Sequence, residues 1–223
     1  ISKNQMLEKE VGSTGLKGRW IEKGSNNQAG RMHTADIDFE DSLIYAASSG
    51  GNIWRGTFEG TNWTCLNNGM GISDIQVVRF GQTKRIIVTG NSPAAVWFTD
   101  DEGLNWERAK GLDSPANWGF TRRGVMTYGT NEYYVFVQEW DYTLWKSMVA
   151  VYRSTDYGST FTDVVKLHLQ VANCDIWTPS YKQDGVYFVH VDTLSKIENG
   201  VITNIGNISI NHLYSTISEV LLD

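Results

Sequence analysis

Apolar and polar residues alternate over short spans along this chain, and clusters of Gly, Asn, Asp and Ser separate the spans. Period-two alternation over four to nine residues predicts strands, because successive side chains on a strand point to opposite faces. The spans fall into four groups of four. The first group predicts strands over 32–39, 42–47, 52–57 and 63–66, and the second over 74–80, 85–90, 95–99 and 106–110. The third predicts strands over 124–128, 133–138, 149–154 and 161–165, and the fourth over 177–181, 185–191, 193–197 and 201–205.

A short motif recurs in step with these groups. Thr99, Asp101, Gly103 and Trp106 have the same spacing as Ser154, Asp156, Gly158 and Phe161. The carboxylate suits backbone N–H groups in a tight turn, the glycine suits a positive φ, and the aromatic suits burial at the end of a hairpin. Degenerate copies surround Gly60, where the Asp is missing, and Gly200, where Glu198 replaces it. The spacings from Gly60 to Gly103, Gly158 and Gly200 are 43, 55 and 42 residues, a period that fits a unit of four strands.

This pattern resembles the Asp-box, or BNR repeat, of secreted bacterial β-propellers in the sialidase, sortilin and xyloglucanase-like superfamily. Gly30-Arg31-Met32 and the stretch Leu43 to Arg55 are similar to the opening blade of such proteins. The resemblance implies an all-β fold, a propeller of four-stranded antiparallel blades, seen here as an incomplete part of a ring of about seven. A small closed ring of four or five blades is the competing reading. The expected divisions are an N-terminal lead (1–18), a closing outer strand and link (19–29), blades at 30–70, 71–118, 119–170 and 171–205, and the start of a further blade (206–223). Trp20, Trp63 and Trp106 lie 43 residues apart, which marks Trp20 as part of an outer strand without its own blade. Trp54, Trp97 and Tyr152 stand two residues before each turn and are expected to share one inter-sheet layer.

Composition narrows the function. The 223 residues include 22 Gly, 9 Trp and 10 Tyr, which fits an all-β protein. A net charge of −6 gives no basic face for nucleic acid, and no apolar run approaches a membrane span. Cys65 and Cys174 have no metal-ligand spacing; free thiols and a single disulfide remain equally open. His33, His168, His190 and His212 are scattered, and no phosphate-binding glycine loop opens a helix, so no metal or cofactor is expected.

In such a repeat the motif turns lie at one end of the sheets, so the turns between second and third strands lie at the other. Ligands are expected at that other face. The third unit's extra length falls in Glu139-Trp140-Asp141-Tyr142-Thr143-Leu144-Trp145-Lys146. Aromatic rings pack on pyranose C–H surfaces and carboxylates bond hydroxyls, so Trp140, Tyr142 and Trp145 are candidate ligand contacts, with Trp118 and Arg31 beside them. A loop that buries its own aromatics is the alternative. Arg31 stands near the place of a sialidase carboxylate-binding arginine, although Met32-His33 follows it instead of Ile-Pro; a structural ion pair is its other reading.

Glycoside hydrolysis needs two carboxyl groups about 5–9.5 Å apart. The weak candidates are Asp36, Asp38, Asp74, Glu139 and Asp141, with Asp175 behind them. The xyloglucanase-like resemblance places a catalytic Asp where this chain has Ser49. The reading is therefore an extracellular, secreted or cell-surface binding module for a glycan or a protein, in company with further domains of its polypeptide. A secreted glycoside hydrolase completed by other blades is the alternative.

Overall fold

The computed structural model describes residues 7–11, 16–20, 31–67, 69–90, 95–112, 120–126, 132–168, 174–177, 185–190 and 193–207. All regular structure in them is strand. β1 (Leu7–Val11) and β2 (Leu16–Trp20) form an antiparallel hairpin of their own, in which Leu7 pairs with Trp20. Trp20 thus ends a strand of a two-stranded sheet apart from the four larger ones.

The first four-stranded sheet is β3 (Met32–Asp38), β4 (Leu43–Ser48), β5 (Ile53–Thr57) and β6 (Thr64–Cys65). The second is β7 (Ile72–Phe80), β8 (Thr83–Gly90), β9 (Ala95–Thr99) and β10 (Glu107–Arg108). The third is β11 (Phe120–Met126), β12 (Tyr133–Asp141), β13 (Lys146–Ser154) and β14 (Thr162–His168). The fourth is β15 (Cys174–Trp177), β16 (Val186–His190), β17 (Thr193–Glu198) and β18 (Val201–Asn207). Each is an antiparallel meander in chain order. Every strand of the four larger sheets overlaps its sequence expectation, whereas β1 falls in the expected N-terminal lead; β11 and β15 start earlier than alternation suggests, and β18 runs on to Asn207.

Burial explains the sequence pattern. The middle strands are covered on both faces and so read as continuous apolar runs. In β12, Tyr133, Val135 and Val137 enter a core shared with Ile87, Val96 and Phe98 of the second sheet. Tyr134 and Phe136, one residue out of phase, enter a core shared with Val186, Phe188 and Ile197 of the fourth. A third core joins Tyr45, Ala47 and Ile53 to Ile75, Ile86 and Val88 between the first and second sheets. Each large side chain so buried contributes about 1.5–3 kcal/mol. Trp97 and Tyr152 both face the preceding sheet, and Trp54, opposite in phase to Ile53, faces the same way on the first.

The innermost strands lie side by side, β3 against β7 and β7 against β11. Two bonds tie the first pair: the Thr34 hydroxyl donates to Asp74 at 2.6 Å, and the Val77 N–H donates to Asp36 at 2.6 Å.

Candidate functional site

The two turns that share the sequence motif also share their bonding. The Thr99 hydroxyl donates to Asp101 at 2.7 Å and accepts the Gly103 N–H at 3.0 Å. The Ser154 hydroxyl does the same with Asp156 at 2.7 Å and the Gly158 N–H at 2.9 Å. Each Asp then accepts a backbone N–H and a side-chain donor from the residue four positions on, Asn105 in one turn and Thr160 in the other. These two residues escaped the sequence reading, although a short polar residue just before the aromatic is the visible signal. The Asn105 N–H, then the Thr99 hydroxyl, hold the Asp101 carboxyl down to about 2.

The same backbone shape survives where the motif decays. Glu102–Gly103 and Tyr157–Gly158 both take positive φ, and so do Asn199 and Gly200. There Lys196 and Glu198 replace hydroxyl and Asp, and they pair at 2.9 Å. In the first sheet the turn is closed by Thr57 and Thr61, whose hydroxyls lie 2.9 Å apart.

The turns of the second, third and fourth sheets each dock on the preceding sheet. Glu102 accepts bonds from Arg55 at 2.7 Å, from the Tyr45 hydroxyl at 3.1 Å and from Lys84. Burial raises the Glu102 carboxyl, but Lys84 and Arg55 outweigh it and leave it lowered. Burial pushes the Tyr45 phenol up to about 12, against the lowering effect of Lys84 beside it. Arg85, almost fully buried, grips Asp100 with two bonds of 2.7 Å and reaches across to the Tyr157 carbonyl and the Ser159 hydroxyl. At the last joint Tyr134 accepts the Gly200 N–H at 2.9 Å, and Glu132 accepts the Asn199 N–H at 3.1 Å. The motif end of the molecule is therefore occupied with holding sheets together.

The opposite end carries the candidate ligand face. Among the described residues the β12–β13 ladder continues to Asp141 opposite Lys146, whereas the pairing of β11 reaches Gln138 and that of β14 reaches Met148. Among those residues the extra length of the third unit is a ribbon that continues the β12–β13 hairpin and ends in a four-residue tip. Its aromatics are exposed: Trp140 41%, Tyr142 53% and Trp145 73%. Asp141 fixes the tip by accepting the Thr143 N–H at 2.8 Å and the Leu144 N–H at 3.1 Å. Trp145 sits at a φ of 51°, a left-handed conformation rare for a bulky residue and often associated with function. The corresponding tip of the first sheet, Ser48 to Gly51, carries no aromatic.

The structure separates the other candidates. Glu139 lies at the ribbon's base, 5% exposed, and accepts the Tyr152 hydroxyl at 2.9 Å. Burial, then the Glu139 charge, raises the Tyr152 phenol. Arg31 is exposed at the same end as the ribbon, its carbonyl accepting the Ser49 N–H at 2.9 Å. No salt bridge of its side chain occurs among the described residues. Asp38 lies at the motif end, buried in a two-pronged pair with Arg79 at 3.2 and 2.7 Å. Asp74 accepts the Ile75 N–H as well as Thr34, and Asp36 the Ile37 N–H as well as Val77. Burial outweighs those two bonds and raises the Asp36 carboxyl. Trp118 and the side chain of Asp175 lie outside the described residues. Cys65 is a free thiol that donates to the Asn67 carbonyl.

Four antiparallel meanders, each packed face to face on the next with their first strands innermost, define part of a β-propeller. Solved structures agree. The chain is similar to YCF48 from Cyanidioschyzon merolae, with a TM-score of 0.53, 14% identity, and coverage of 82% of this chain and 57% of that one. It is also similar to a 6-phosphogluconolactonase candidate from Bacteroides uniformis, with a TM-score of 0.51, 9% identity, and coverage of 87% and 62%. The chain spans less than two thirds of the length of either structure. At these identities the likeness is one of fold. No family model matches the sequence, and no curated protein is similar to it. No described helix is long and apolar enough to cross a membrane.

Proposed function

We propose that this chain is part of an extracellular Asp-box propeller that binds a glycan or a protein on the face opposite the motif turns. The observation that carries this reading is the ribbon tip, where Trp140, Tyr142 and Trp145 are exposed on a turn held by Asp141. Rigid aromatic side chains lose little entropy on binding and offer large faces to a pyranose ring or a protein pocket. Arg31, exposed at the same end, adds a two-pronged donor for an anionic group of the ligand.

The test compares the parent with Trp140→Ala and Trp145→Ala on a glycan array and an array of surface-protein ectodomains. Each substitution removes an exposed ring, so the fold is expected to survive, checked by an unchanged melting temperature. The expected result is at least about a tenfold loss of affinity for whatever the parent retains. Equal binding by both variants overturns the reading.

A second reading, a glycoside hydrolase, draws on Asp36, whose carboxyl burial raises as a general acid requires. The backbone bonds from Val77 and Ile37 that occupy it favour a structural role. Asp36→Asn abolishes hydrolysis of an aryl glycoside under this reading; a parent without such hydrolysis removes it.

A further inference from the structure

The tip that ends the β12–β13 hairpin carries more apolar surface than its aromatics alone. Leu144 is 54% exposed between Tyr142 at 53% and Trp145 at 73%, and Trp140 adds a further ring at 41%. The groups that would bond the hydroxyls of a sugar are taken up by the fold. Asp141 Oδ1 accepts the Thr143 and Leu144 N–H groups, and Glu139, buried at the base, accepts the Tyr152 hydroxyl. A leucine offers neither a flat face to a pyranose ring nor a hydrogen bond. Its exposed side chain adds to binding only where water is removed from it.

We propose that the tip enters an apolar pocket of a partner protein, with Leu144 buried beside Tyr142 and Trp145. This rests on the ribbon being the ligand site, and it selects a protein over a glycan as the ligand. Charge favours a protein pocket over a lipid surface. Adsorption of a small apolar patch to a membrane draws on basic residues that attract anionic headgroups. Residues 139–146 set Glu139 and Asp141 against Lys146, and the chain's net charge is −6. A protein pocket needs no such attraction. It also favours a tip ordered in advance, and the bonds to Asp141 hold this backbone so that little freedom is lost on docking. Tyr and Trp side chains that fill pockets are the usual anchors of protein interfaces.

Leu144→Asn tests this on the glycan array, on the array of surface-protein ectodomains, and on vesicles of phosphatidylcholine and phosphatidylserine. The variant keeps the side chain's size and the N–H that Asp141 accepts, so an unchanged melting temperature is expected. The parent is expected to be retained by an ectodomain and by neither glycans nor vesicles. Leu144→Asn should weaken that pair at least about tenfold, because its amide is buried without a partner. Titration calorimetry of the parent with the retained ectodomain needs no variant. A negative heat-capacity change and an affinity that holds between about 50 and 500 mM salt are expected. Retention by glycans or vesicles alone, retention by nothing, or an affinity that falls steeply with salt overturns the proposal. Equal binding by Leu144→Asn beside a loss in Trp140→Ala removes the pocket and keeps the ribbon as the ligand site. Equal binding by Leu144→Asn, Trp140→Ala and Trp145→Ala removes both.

Discussion

At the scale of single residues, the Asp of each motif turn acts as a backbone clamp. Asp156 accepts the Ser154 hydroxyl and the Thr160 N–H and hydroxyl, and these bonds keep its carboxyl low despite burial. Asp156→Ala is expected to cost about 1–2 kcal/mol in denaturant unfolding, in the range of a lost cap with an orphaned N–H. Asp101 gives the matching pH dependence. Its folded value of about 2 lies below the ordinary 3.8, so its contribution is complete above pH 3.8 and is lost as pH falls toward 2. Asp101→Asn should flatten the stability profile within that window and lower stability by a constant amount near neutrality, where the carboxylate's contribution is complete. Asp36 has the opposite sign: its raised carboxyl makes the ionised form costly above its folded value, and that cost is relieved as pH falls through it. The Thr/Ser, Asp, Gly and aromatic of these turns were legible because local geometry demands those residue types. Arg85 was not, since its partners Tyr157 and Ser159 lie more than seventy positions away and nothing local marks the pairing.

At the scale of elements, the joints between sheets carry the fold. Arg85 bonds its own sheet's turn and the next one, while its guanidinium lies over Phe98 at 4.1 Å. Arg85→Ala should cost about 3 kcal/mol, read from the thermal midpoint, and Arg85→Lys should recover only part because a single ammonium cannot replace the fork. Gly111 marks the same joint, where Lys110 forms a parallel bridge with Thr160. Its φ is +83°, and an added Cβ would stand 2.0 Å from the Phe161 carbonyl oxygen. Gly111→Ala is therefore expected to destabilise by more than about 2 kcal/mol, or to prevent folding. The strands themselves were readable from alternation and turn residues. The ribbon was not: Glu139-Trp140-Asp141 continues the alternation of β12, but its punctuating carboxylates and aromatics read as a loop. The N-terminal hairpin was also missed. The spacing of Trp20 from Trp63 pointed to an outer strand, yet spacing cannot reveal that Leu7–Val11 pairs with it.

At the scale of the molecule, the two ends of the sheets divide the work. The motif end is crosslinked by Glu102, Arg85, Glu132 and Tyr134, whereas the other end presents exposed rings at the end of the β12–β13 hairpin. The polarity of the arc was legible, because the repeated motif fixes which turns share an end. The ligand's identity was not, since neither ring composition nor fold specifies what a ring stacks against. The central claim is that the ligand meets the ribbon face. Hydroxyl-radical footprinting with and without a ligand retained on the arrays tests it most directly. The account predicts that Trp140, Tyr142 and Trp145 lose reactivity on binding while Trp63 and Leu104, exposed at the motif end, keep theirs. Protection of Trp63 or Leu104 with an unchanged ribbon would contradict it.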